Sequence, residues 1–153
     1  MSEVNAWLLD LGEGLLAAVG QLEVVHVLPD APTLFEIPQS PSYCRKVLVW
    51  ETEMLPLMNL AMRLLGRTVA ESRGLVAVTA FQAYPGAQPC YGALMLDAPP
   101  VRIRVSDSQA CDLPDAQSGW RRLAIACFEQ SGRGPVPVLD LAKVFSLPRG
   151  GTD

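Results

Sequence analysis

A chain of 153 residues, half of them hydrophobic and 18% charged, holds enough apolar material for a core and is not disordered in composition. Its length suits one domain or two small lobes. The net charge of −4 comes without any basic run, which excludes a phosphate-neutralising footprint and hence nucleic acid as a partner. The apolar runs are too short to span a bilayer, where a helix needs about 20 apolar residues. Residues 1–5 carry Glu3 and no basic residue, unlike a signal peptide, so the expectation is a cytoplasmic protein without direct membrane insertion.

In chain order, residues 6–11 and 15–19 read as a strand pair around the Gly12-Glu13-Gly14 turn, because glycine supplies positive φ cheaply. The β-branched run 24–28 predicts a third strand. Four prolines between 29 and 41 exclude a helix interior or a central strand, leaving an irregular link with one extended piece at 34–37. Next come two apolar runs, 47–50 and 54–60, joined by Glu51-Thr52-Glu53; this predicts a hairpin with a three-residue polar connection. Residues 60–66 end in Gly66 and predict a short helix with a glycine stop; 69–73 reads as loop. Strands are predicted at 75–81, 91–96, 101–105, 122–129 and 136–139, with 106–119 as loop. A short helix is predicted at 139–145 and a mobile tail at 148–153. Many short strands without long crossover helices predict an all-β sandwich or small barrels.

The chemistry-bearing residues form no recognisable set. Cys44, Cys90, Cys111 and Cys127 are widely spaced, with no C-x-x-C pair and a single histidine, His26. This predicts free thiols of a reduced protein and no metal site. A Cys–His26 nucleophile pair is the one enzymatic alternative, and nothing local supports it. Asp10, Asp97, Asp107, Asp112, Asp115 and Asp140 are scattered and predict no acid–base pair. No phosphate-binding glycine loop precedes a helix. Catalytic residues, cofactors and metals are therefore all expected to be absent. Met54, Met58 and Met62 are assigned to core packing. Trp50, at a strand end beside Glu51, is a candidate exposed anchor.

Several segments, in order, resemble the CheW-like coupling domain of bacterial chemosensory systems. They are W-L-L-D-L-G-E-G-L-L-A-A-V, the proline-punctuated V-V-H-V-L-P to S-P-S-Y, K-V-L-V-W-E-T-E-M-L-P-L-M-N-L, Y-G-A-L-M-L-D and P-V-P-V-L-D-L-A-K-V-F. The resemblance covers about residues 5–147 and implies a single domain of two intertwined five-stranded SH3-like β-barrels. It implies a non-catalytic adaptor that couples a chemoreceptor cytoplasmic tip to a histidine kinase regulatory domain, at membrane-associated arrays. The proline-rich link is most similar to members from type IV pilus (twitching) systems.

The framework positions Val47, Leu48, Leu55, Pro56, Leu57 and Leu60 match the family, whereas its polar and glycine positions are exchanged. Lys46 stands where glycine is usual, Val49 where Asn is, Glu51 where Arg is and Thr52 where the next glycine is; His26 replaces a glutamate and Arg122 falls near a further glycine. His26, Lys46, Trp50, Glu51 and Thr52 are the candidate partner-binding residues. An Arg-to-Glu reversal turns attraction to an acidic partner into repulsion. The second expectation is therefore a diverged scaffold that binds a different protein partner, or itself, without coupling receptor to kinase.

Overall fold

A computed structural model describes residues 3–28, 33–69, 75–115 and 117–146. The chain opens on a hairpin, β1 (Glu3–Gly12) and β2 (Leu15–Gly20), leaves to build a second sheet, and returns to the first at its end. The second sheet comprises β3 (Val24–Leu28), β4 (Leu34–Glu36), β5 (Lys46–Trp50), β6 (Glu53–Met58), β7 (Leu75–Gln82) and β8 (Pro89–Leu96), in the order β3-β7-β8-β6-β5-β4. β9 (Val101–Ser106), β10 (Ala124–Gln130) and β11 (Gly134–Leu139) complete the first, in the order β10-β11-β2-β1-β9. The amino-terminal hairpin thus pairs into the carboxy-terminal sheet, which intertwines the two lobes of an all-β fold. The short β4 adds a sixth strand to the edge of the second sheet.

One local device is built twice. Residues 56–61, P-L-M-N-L-A, and 137–142, P-V-L-D-L-A, repeat the same segment. Each proline precedes a brief parallel contact, Leu57 and Met58 with Ala93 and Leu94 of β8, and Val138 with Ala18 of β2. Each polar residue then caps a short helix, α1 (Leu60–Leu65) after Asn59 and α3 (Leu141–Val144) after Asp140. The Asn59 side chain accepts from the Met62 N–H at 3.0 Å, and Asp140 accepts from the Lys143 N–H at 3.4 Å. Each cap's own N–H donates to the carbonyl of a preceding helical turn, Asn59 to Tyr43 and Asp140 to Leu123, both at 2.8 Å. No helix among the described residues is long and apolar enough to cross a membrane.

The core has three parts. Leu8, Ala18, Ile103, Phe128 and Val136 fill the first barrel; Leu48, Leu55, Leu57, Val76, Val78 and Ala93 fill the second. Between them, Leu9, Val19, Met58, Leu60, Leu94, Trp120, Leu139 and Leu141 form a central cluster to which both sheets contribute. Gly92 in β8 lies under the Phe145 ring, where an added Cβ would meet ring carbons at 2.5 Å; that ring stacks on Phe81, centroids 5.5 Å apart. The glycine is what lets the α3 end seat on the second sheet.

Four sequence expectations are corrected. The strand expected from 122 starts at Ala124, because Trp120–Leu123 forms a helical turn, α2, whose i and i+3 residues Trp120 and Leu123 are both buried. The connection after Trp50 has two residues, not three: Trp50 pairs with Glu53, which begins β6. The segment expected as loop after 105 carries a 3₁₀ turn, Asp107–Gln109, and a bridge from Ala110 to Phe128 that brings β9 back towards β10. Met58 is fully buried as expected of core, but Met54 is 66% exposed, since it sits opposite Val49 on the outward row of the hairpin. The tail at 148–153, most of the 69–73 loop and Pro29 to Pro32 of the link lie outside the described residues.

Candidate functional site

The hairpin β5–β6 sorts its side chains by strand alternation. Lys46, Leu48 and Trp50 share the inward row, and Val47 and Val49 the outward one. The register pairs Leu48 with Leu55, Val49 with Met54, and Val47 with Pro56 on one side and Phe35 on the other. The outward row therefore assembles an apolar face from three strands, on which Phe35 is 50%, Val49 48% and Met54 66% exposed. Ile37, beyond β4, is also exposed and donates its N–H to the Arg45 carbonyl at 2.7 Å. Scattered exposed apolar residues are ordinary, and a contiguous set on one sheet face makes a candidate interaction surface.

The tip of the hairpin adds charge and backbone strain. Glu51 and Thr52 form the turn, and Glu51 takes φ 57°, a left-handed conformation that costs a non-glycine residue roughly 1–2 kcal/mol. Glu51, Thr52 and Glu53 are all exposed, so the tip presents two carboxylates. Behind it Trp50 is half-buried, not free: its ring lies 5.7 Å from Tyr91 and 6.4 Å from His26, centroid to centroid. Trp50 and Tyr91 pack against the core of the second sheet, and His26 beside Trp50 is exposed.

The structure thus brings together four of the five candidate residues: His26, Trp50, Glu51 and Thr52. Lys46 is separate. It lies at the other end of β5, four residue steps or about 13 Å from Trp50, in a cleft of about 240 Å³ lined also by Glu36, Tyr43, Asn59 and Met62. Arg122 stands exposed on α2 in the other lobe. Phe35, Met54 and Tyr91 stand beside these candidates, and sequence reasoning missed them. The first two were legible only from the register of β4 and β6 against β5, and Tyr91 only from its ring contact with Trp50.

The geometry gives the Cys–His alternative no support. The ring partner of His26 is Trp50; Cys111 and Cys127 belong to the other lobe, and Cys44 is buried in the central cluster. Burial pushes the Cys44 thiol up, against the smaller lowering effect of Arg63, away from the thiolate a nucleophile requires. Cys90 is exposed, and its thiol donates to the Gln88 carbonyl at 3.9 Å. Among the described residues no group of three or more His, Cys, Asp or Glu side chains is placed to hold a metal.

The crystal structure of the scaffolding protein TtCheW from Thermoanaerobacter tengcongensis superposes with a TM-score of 0.73 at 14% identity, covering 99% of this chain and 98% of that one. No curated protein matches the chain. The family model of the CheW-like domain matches residues 6–149, and the chain therefore belongs to the CheW-like domain family.

Proposed function

We propose that the protein is a non-catalytic adaptor of a bacterial chemosensory assembly, working in the cytoplasm by protein–protein docking at membrane-associated arrays. The observation that carries this reading is the outward apolar face Phe35–Val49–Met54 beside the acidic tip Glu51–Glu53, on a chain of the CheW-like family. The partners it would join are a histidine kinase regulatory domain and a chemoreceptor tip. The central apolar cluster, shared by both sheets, supports treating residues 5–147 as one functional unit. The proline-punctuated link supports a type IV pilus (twitching) branch.

Glu51 favours a second reading. A partner meeting an arginine at this turn would offer acidic groups, and Glu51 would repel them. The chain then either binds a kinase and receptor that have changed charge with it, or serves as a scaffold for another partner or for itself. Capture from native cells with the unaltered chain and with Glu51→Arg separates these. Recovery of a kinase and a receptor by the unaltered chain is expected. Recovery of neither, or recovery only by Glu51→Arg, would leave the diverged scaffold.

A further inference from the structure

We propose that Cys111 and Cys127 form an oxidisable dithiol that closes to an intramolecular disulfide under a peroxide-class oxidant, stapling the seam of the first barrel. The two sulfurs are 3.4 Å apart. Their backbones are already in register: Ala110 bridges Phe128, and the Cys111 N–H donates to the Cys127 carbonyl at 3.0 Å. Residues facing each other at a hydrogen-bonded antiparallel position have Cα atoms about 5.5 Å apart, inside the roughly 4.4–6.8 Å range of disulfides. Small side-chain rotations suffice to bring the sulfurs to bonding distance.

The position is consequential because the barrel closes there. In the order β10-β11-β2-β1-β9, the two end strands are joined by the segment after β9. Its described links to β10 are the Ala110–Phe128 bridge, the Cys111–Cys127 backbone bond and the Gln109 side-chain N–H donating to the Glu129 carbonyl at 3.1 Å. An oxidant reaches the sulfurs through an open crevice of about 530 Å³, lined by both cysteines with Asp112, Arg121 and Ile125.

The chemistry balances with hydrogen peroxide as oxidant. Cys111, the more exposed thiol, loses its proton and its sulfur attacks one peroxide oxygen. The O–O bond breaks, hydroxide leaves and takes up the proton as water, and Cys111 becomes a sulfenic acid. The Cys127 sulfur then attacks the Cys111 sulfur. The S–O bond breaks, and the departing hydroxide leaves as water with the Cys127 proton. Two thiols are oxidised and one peroxide is reduced to two waters. Burial first, and then the hydrogen bond from Cys111, push the Cys127 thiol up to about 12, which leaves the more exposed Cys111 to meet the oxidant first.

The test is peroxide titration of the reduced, full-length chain, read by intact mass and non-reducing peptide mapping. The expected result is loss of the mass of two hydrogen atoms and a single 111–127 link, reversed by dithiothreitol. The link should persist in Cys90→Ser and vanish in Cys111→Ser. Oxygen addition or intermolecular dimers at exposed Cys90, with 111 and 127 still free thiols, would overturn the proposal. So would links scrambled to Cys44. The unaltered chain alone gives a decisive answer if a variant fails to fold.

Discussion

Glu51 sits in a left-handed conformation at the turn of the β5–β6 hairpin, and that one φ angle sets what substitutions the tip accepts. Proline, locked near −65°, cannot adopt it, so Glu51→Pro should lose about 2 kcal/mol or more in urea unfolding. Glycine adopts the angle without strain but loses more chain entropy on folding. Glu51→Gly should therefore fall within about 1 kcal/mol of the unaltered chain. Asn59 is a second residue with a defined cost. Its cap on α1 predicts a loss of about 1 kcal/mol for Asn59→Ala and little for Asn59→Asp, measured the same way. Glu51 was visible as a departure from a family pattern, but its role was not. A sequence shows that Glu replaces Arg. It does not show that the turn has two residues and that the first of them carries the positive φ.

At the scale of elements, the strands were readable because alternation and apolar runs report burial directly, and the 24–28, 75–81 and 91–96 runs appear close to their expected bounds. The 122–129 run misled because Trp120 and Leu123 are buried through helical rather than strand spacing. Met54 misled because a methionine in an apolar run looks like core until the cross-strand register is known. The repeated P-x-x-N/D-L-A segment was present in the sequence, and its meaning, a capped helix after each closing strand, needed both barrels to be seen. The contact of Gly92 with Phe145 makes a further prediction. Gly92→Ala overpacks the ring seat and should cost roughly 1–3 kcal/mol. Adding Phe145→Ala should recover part of that loss, because the two changes act on one contact and are not additive. Equal, additive losses in a double-mutant cycle would show that the ring does not rest on Gly92.

At the scale of the whole molecule, the two barrels share a central core, while Val49 and Met54 on the outward hairpin face stay largely exposed. Exposed Val49 and Met54 contribute little burial, so changing both to serine should shift stability by only about 0.5 kcal/mol each or less. The fold class followed from strand count and spacing, and the family from an ordered set of segments. The outward apolar face did not, because it exists only where β4, β5 and β6 lie side by side. The proposed function rests on docking through that face. The most direct measurement is a binding titration of the cognate histidine kinase regulatory domain against the unaltered chain and Val49→Ser/Met54→Ser, with folding of both checked by thermal unfolding. The account predicts binding by the unaltered chain and a loss of at least about tenfold in the folded variant, as expected for central apolar contacts. Equal affinity of the two proteins, or no binding by the unaltered chain, would contradict it.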